Sequence, residues 1–339
     1  MLAISVPEPH LVEVLEREVP RPAAGQVLMR VVRGGICGSD IHIFHGSNPF
    51  ARYPRVIGHE FAGVVEAVGD GVEDFEAGDR VVADPVIACG HCYPCRVGRP
   101  NVCANLEVMG VHRDGGFQQL VCVPATNAVK IPDRLSLAIA ALAEPFSIAA
   151  NVLSRTACGP EDTVLIYGAG TVGLTVLQVA KLKGARTVIA DPDIKRLERA
   201  EGFGADRLLI SGQDDIPASV AGETDGLGPT VVIDGAGVPR LLDEACRIAS
   251  PAGRIGILGF SPAPSNVSQQ EIVRKELTLV GSRLSRRLLP EVLSWLGDGR
   301  LKPGAMITQT FRASEVADAL RLIENSPDQT IKVQLDFQE

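Results

Sequence analysis

The residues whose spacing is most informative are four cysteines. Cys89, Cys92, Cys95 and Cys103 form a C-x2-C-x2-C-x7-C pattern in a loop that also carries Gly90, Pro94 and Gly98. Four thiolates at this spacing suit a closed tetrahedral zinc ion with no vacant position for chemistry, so the loop is predicted to hold a structural metal. Unliganded cysteines are the alternative, and clusters this dense seldom arise without a metal or a disulfide. The remaining cysteines, Cys37, Cys122, Cys158 and Cys246, are scattered, unlike the framework of a small secreted protein. His91 sits inside the loop but is read as a bystander, because four cysteines already fill the shell.

A second constellation is assembled from distant segments: Cys37 in GGICGSDIH, the pair His59-Glu60 in VIGHEFAG, and Glu144 in LAEPFS. Three protein ligands and an open position define a catalytic zinc. Each signal is weak alone, since an isolated cysteine is usually core packing and a Gly-His-Glu triplet can simply cap a turn. Ser39 and His42 follow Cys37 in the same segment. They are candidates for carrying a proton away from the site, with a turn hydrogen bond and a surface side chain as the plainer readings.

The third constellation is a glycine loop. Gly168, Gly170, Thr171, Val172 and Gly173 stand in GAGTVG, directly after the apolar run TVLIY and at the start of a helix-like segment. Small residues let the backbone approach a pyrophosphate, where unpaired N–H groups and the helix dipole favour negative charge. Asp191 ends the next apolar run. Its carboxylate can accept from both ribose hydroxyls of NAD and would repel a 2′-phosphate, so NAD is the predicted cofactor; Arg196 nearby works against that preference. A second cluster, Asp234-Gly235-Ala236-Gly237, either lines the same crevice or makes a simple turn.

These residues need two kinds of scaffold. The first 130 residues read as short Val/Ile-rich strands such as QVLMRVVRGG and EFAGVVEAVG, punctuated by glycine turns, which predicts a β-rich, barrel-like domain. From about residue 160, TVLIYGAG, RTVIADP, RLLIS, TVVIDGAG, RIGILGF and LTLVGS alternate with helix-like segments, which predicts an α/β domain with a parallel sheet. A tail with two helices and a last strand, IKVQLDF, follows and is expected to return to the first domain. The predicted boundaries are 1–150, completed by 284–339, and 151–283. A length of 339 residues suits about two domains of roughly 150 residues each. The net charge of −8 is spread without long like-charged blocks, so neither nucleic acid nor an anionic membrane is an expected partner. The N-terminal segment lacks a basic region followed by an apolar run, and the chain is read as cytoplasmic.

Taken together, GICGSDIHIFHG, YPRVIGHEFAGVV, GDRVV, CGHCYPCRVGRPNVC, DGGFQQL, EPFSIA and GAGTVG resemble the zinc-containing medium-chain dehydrogenases of alcohol, sorbitol and threonine type, in the family's order and across essentially the whole chain. The resemblance implies a GroES-like catalytic domain and an inserted Rossmann domain. It implies two zinc ions per chain and NAD as cofactor. Cys37 and His59 are then ligands of the catalytic zinc, with a carboxylate as third partner. Sorbitol-type members carry Glu at the position of Glu144, where typical alcohol dehydrogenases have Cys, so Glu60 and Glu144 are both candidates. The family's proton relay runs through Ser39 and His42.

A finer resemblance, carried by GSNPFARYPRVIGHE, GVHRDGGF, AEPFSI and VGSR, is to bacterial L-galactonate and L-gulonate 5-dehydrogenases. It implies oxidation of a secondary alcohol on a sugar acid. Arg283 is the implied substrate residue, Arg113 a weaker candidate, and Arg52 and Arg55 weaker still. Neutral polyols and L-threonine are the alternative substrates, and a nucleotide-binding metabolite sensor is the non-enzymatic alternative. Family members pair into homodimers and homotetramers, with the strands around RIGILGF and LTLVGS as the expected edge.

Overall fold

The computed structural model describes residues 1–338. The chain forms two compact units, one made of residues 1–144 together with the chain from Ser285 onward, the other of Pro145–Leu284.

The first unit is built on the ten-residue strand Gln26–Gly35. Val27, Met29 and Val31 are essentially inaccessible, and Leu28 and Val32 on the opposite face are nearly as buried, so both faces of this central strand are largely covered. This strand pairs antiparallel with Glu60–Val68 on one side, and on the other with Leu120–Pro124 along its first half and Lys332–Asp336 along its second. The sheet continues outward through Arg80–Ala83 and Ala128–Lys130 beyond Glu60–Val68, and through Ile307–Arg312 beyond Lys332–Asp336. The tail therefore supplies strands to the first unit, and Gln334 lies opposite Gly35, two residues before Cys37. Ile307–Arg312 was not anticipated from the sequence. It is a partly exposed edge strand, ITQTFR, with too few apolar residues to show alternation.

In the second unit the strands are β1 (Thr163–Tyr167), β2 (Arg186–Asp191), β3 (Arg207–Ile210), β4 (Val231–Asp234), β5 (Arg254–Ile257) and β6 (Thr278–Gly281). All pair in parallel, in the order β3-β2-β1-β4-β5-β6. This is the doubly wound order whose strand reversal between β1 and β4 creates a crevice at the carboxyl ends of the strands. Helices cover both faces of such a sheet, which is why β1, β2 and β4 are continuous apolar runs rather than alternating ones. Leu165, Tyr167, Val188, Val232 and Ile255 form its core. The expected pairing edge needs one correction. RIGILGF supplies β5, an interior strand, and only LTLVGS, which supplies β6, lies at the edge.

The helical stretch Leu137–Arg155 has the length and hydropathy of a membrane span, yet 72% of its apolar window is buried inside the protein, as in a core helix.

Candidate active site and metal centres

Strand Gln26–Gly35 delivers the chain to Cys37, which caps the helix Gly38–Phe44. Asp40, wholly buried, fastens this corner: Oδ2 accepts the Cys37 N–H at 2.9 Å and Oδ1 accepts the Gly58 N–H at 3.1 Å. One carboxylate thus ties the Cys37 segment to the segment carrying His59 and Glu60. Ligand atoms of Cys37, His59 and Glu60 all lie within 4.8 Å of one another. Ser39 Oγ stands 3.3 Å from His59 Nε2. The other ring nitrogen, Nδ1, is buried without a hydrogen bond and faces Asp40 Oδ1 at 3.7 Å. Burial disfavours the His59 cation, but Asp40 and Cys37 more than offset this and hold its pKa well above the usual histidine value.

Glu144, near the start of the helix Ala143–Arg155, is also buried, beside this trio but outside the 4.8 Å group. Burial pushes its carboxyl up to about 7, with His59 opposing and Glu60 adding to the shift. A thiol, an imidazole and carboxylates converging in a buried pocket are a borderline-cation donor set, and zinc fits it. Asp40 behind the imidazole is the kind of outer carboxylate that orients a metal-binding histidine.

Sequence reasoning missed Lys332. From the last strand, its ammonium donates to both Glu60 oxygens at 2.7 Å and to the Ile36 carbonyl at 3.0 Å, with side chains 2% and 1% exposed. Gly35 makes room for the pair, since a Cβ there would stand 2.3 Å from Glu60 Oε2 and 3.3 Å from Lys332 Cδ. A lysine at the head of the last strand, KVQLD, followed directly by an apolar residue, was the available signal. His42, by contrast, is exposed at the far end of its helix and meets Ser47 Oγ at 3.0 Å.

Asp84 adds a further buried acid to this unit. Its Oδ1 accepts the Val86 N–H at 3.0 Å, and burial raises its pKa from 3.8 to about 6, with Val86 N–H and Arg287 opposing. A carboxyl whose folded-state pKa is raised binds its proton more tightly when folded, so stability is lost as pH rises from about 4 through 6. Asp84→Asn keeps the acceptor and removes the charge. The variant is expected to be the more stable protein above pH 7, by about 3 kcal/mol at most, and to match wild type near pH 4; urea unfolding at the two pH values measures the gap.

In the cysteine loop all four sulfurs lie within 4.8 Å of one another, and Cys92 Sγ is 3.4 Å from Cys95 Sγ and 3.6 Å from Cys103 Sγ. All four thiols are free. A tetrahedral zinc with Zn–S bonds of about 2.3 Å spaces its sulfurs by about 3.8 Å, so the cradle fits the ion. Backbone N–H groups of Ala104 and Asn105 point at Cys92 and Cys103 sulfurs at 3.4 and 3.3 Å. Those of His91 and Cys92 lower the pKa of Cys89, which favours the thiolate that binds metal. His91 turns its ring to the Cys89 carbonyl at 2.9 Å, away from the sulfurs.

In the second unit Gly168, at φ +95°, turns the chain from β1 into the helix Thr171–Leu182, whose N-cap is Gly170. Gly173 allows that helix to cross close to the strand, because a Cβ there would come within 1.8 Å of the Gly168 carbonyl. Asp191 is 3% exposed, and its oxygens accept the Ala169 and Asp193 N–H groups at 2.7 and 2.9 Å. Arg196 pairs with Asp193 at 3.8 Å. Asp234 Oδ1 accepts the Ala236 and Gly237 N–H groups, a side-chain-built turn, and a Cβ on Gly168 would meet Gly235 and Ala236 at about 3.5 Å, so the two loops adjoin.

Among the arginines, Arg283 lies over the Phe260 ring at 5.9 Å, in the second unit. Arg113 faces Glu107 at 3.4 Å and Arg55 pairs with Asp114 at 3.1 Å, and Arg52 is exposed.

Two family patterns divide the chain: the alcohol dehydrogenase GroES-like domain matches residues 23–133, and the zinc-binding dehydrogenase domain matches residues 171–298. The chain belongs to the zinc-binding alcohol dehydrogenase family. The starvation-sensing protein RspB of Escherichia coli K12 is 48% identical over the full length of both chains. The L-galactonate-5-dehydrogenase of the same strain is 33% identical over 89% of each chain when 307 residues are aligned. A crystal structure described as an alcohol dehydrogenase (rspB) from Escherichia coli CFT073, complexed with the cofactor NADH, superposes with a TM-score of 0.95 at 48% identity, covering 99% of both chains. This dehydrogenase is therefore an alcohol dehydrogenase-type oxidoreductase with a GroES-like and a Rossmann component.

Proposed function

We propose that the protein oxidises a secondary alcohol of a sugar acid, of the L-gulonate or L-galactonate type, with NAD as the hydride acceptor. The observation that carries the chemistry is the convergence of Cys37, His59 and Glu60 within 4.8 Å of one another, with the buried Glu144 nearby and a serine hydroxyl beside His59. The NADH-bound relative at 48% identity and the L-galactonate-5-dehydrogenase relative support the cofactor and the substrate class.

Cys37, His59 and the carboxylates of Glu60 and Glu144 would hold the catalytic zinc, and Cys89, Cys92, Cys95 and Cys103 the structural one. Zinc at the first position supplies Lewis acidity, which lowers the pKa of a substrate hydroxyl. Ser39, beside His59, would receive the proton that this hydroxyl loses and pass it through the ribose hydroxyl of NAD to His42, exposed at the other end of the same helix, for exchange with solvent. Asp40, with Oδ1 3.7 Å from His59 Nδ1, would orient the ring through its charge. In the second unit, N–H groups at the start of the helix Thr171–Leu182 would take the pyrophosphate of NAD, and Asp191 its ribose hydroxyls. Arg283 would take the substrate carboxylate through its two-pronged guanidinium.

Purified zinc-loaded protein, given NAD and a panel of aldonic acids, polyols, L-threonine and simple alcohols, is expected to form NADH with an aldonic acid and not with the matching polyol. Arg283→Ala is expected to raise KM for the acid by roughly tenfold, the worth of one charge-assisted contact. Turnover on polyols or threonine alone would overturn the substrate class while keeping the chemistry. For the cofactor, kcat/KM with NAD is expected to exceed that with NADP. Asp191→Ser, which removes the charge that repels a 2′-phosphate, is expected to erode this ratio by at least about tenfold. An unchanged ratio in the variant would show that Asp191 does not read the ribose.

A further inference from the structure

On the surface of the first unit, three side chains from three segments converge. His10 lies in the turn after the strand Leu2–Val6, His45 caps the C-terminal end of the helix Gly38–Phe44, and Glu324 lies in the last turn of the helix Val316–Asn325. The Nδ1 atoms of His10 and His45 are 3.4 Å apart, and the Nε2 atom of His45 pairs with a Glu324 carboxylate oxygen.

The turn that presents His10 is fixed by contacts of its own. The His10 N–H donates to the Phe44 carbonyl at 2.6 Å, the His10 ring stands edge-on to Phe44 at 6.0 Å, and a Cβ on Gly46 would strike Pro9 at 2.8 Å. His10 also holds a left-handed backbone, φ +66°, a conformation that a non-glycine residue keeps only where its surroundings over-determine it. The two imidazoles are therefore brought together by the backbone around them.

The chemistry of the pair follows from Glu324. A carboxylate only accepts, so the hydrogen of a neutral His45 ring sits on Nε2, and Nδ1 keeps its lone pair, facing His10 Nδ1. Metal-binding histidines are oriented in this way, with the far nitrogen donating to a carboxylate. Two nitrogens 3.4 Å apart, each about 2.05 Å from a common ion, subtend about 110° at that ion, the tetrahedral angle.

We propose that His10 and His45 form a third metal site, outside both cysteine-containing centres, for a borderline divalent cation of the zinc or nickel type. Both Nδ1 atoms ligate, solvent completes the coordination, and Glu324 positions His45. Imidazole nitrogen favours such cations over magnesium or calcium, which require oxygen ligands. Occupancy ties the N-terminal turn to the end of the helix that carries Ser39 and His42.

Nickel titrated calorimetrically into protein that already holds its zinc is the test, with zinc content measured before and after. One additional equivalent per chain is expected in wild type, with no zinc released. His10→Gln, an exposed change, is expected to abolish that equivalent, and Glu324→Gln to weaken it by 10- to 100-fold, the usual effect of losing an outer-shell carboxylate. Absence of the extra equivalent, its survival in His10→Gln, or nickel uptake matched by zinc release would each overturn the site and leave the pair as a hydrogen bond between rings.

Discussion

Lys332→Met is expected to lower the folding stability of the zinc-free protein by about 3–5 kcal/mol, because it leaves Glu60 as a charge buried without its cation. Methionine fills nearly the same volume, so the loss reports charge and hydrogen bonding rather than a cavity. The double variant Lys332→Met/Glu60→Leu removes both charges, and most of the lost stability is expected to return. Denaturant unfolding of the four proteins of this cycle, all stripped of zinc, measures the coupling directly. If the double variant were as unstable as Lys332→Met alone, the lysine would be needed for the Ile36 carbonyl rather than for Glu60. A second readout separates positioning from bare stability. Lys332 holds both Glu60 oxygens at 2.7 Å, next to His59 and Glu144, so the conservative change Lys332→Arg is expected to restore stability better than turnover, since a planar guanidinium cannot reproduce the point contact beside Gly35.

Cys95→Ser is the second large effect. It opens the four-sulfur cradle, and the protein is expected to lose one zinc per chain while the other is retained. Loss of a structural metal belongs to the few changes that cost more than about 4 kcal/mol, because binding energy of the ion is folding energy for the segment that holds it. The damage is expected to stay local. Between Ile87 and Glu107 the loop contains only short helical turns, and the two short strands that close it are Val86–Ile87 and Glu107–Val108. Limited proteolysis should therefore cut within that segment in the variant and not in wild type, while the main sheet of the first unit stays protected. Retention of two zinc ions per chain by Cys95→Ser would refute the tetrathiolate assignment.

Much of this was legible beforehand. The cysteine loop could be read because all its donors fall within 15 residues, so spacing alone constrains geometry. The glycine loop could be read because it sits between a strand and a helix, each announced by its own apolar pattern. Cys37, His59 and Glu60 could be paired only through motif order, since nothing in spacing brings Cys37 beside His59. The structure does so through Asp40, a residue that the motif GICGSDIH contains but whose role is visible only once its carboxylate is seen to accept from both Cys37 and Gly58.

The sequence by itself determined the residue types of the sites, the alternation that separates a β-rich unit from a parallel α/β one, and hence the family. These are local properties: side-chain chemistry, period two against period 3.6, and glycine where the backbone must turn tightly. Tertiary structure alone decided which distant charges share a buried space. Lys332 meets Glu60 across 272 positions because the tail inserts its last strand beside the strand that leads to Cys37. His10, His45 and Glu324 meet for a similar reason, on three segments that only the packing of the first unit brings to one patch of surface. A sequence lists donors and acceptors, but the energy of a charge depends on what surrounds it, and that is settled only when the chain has folded.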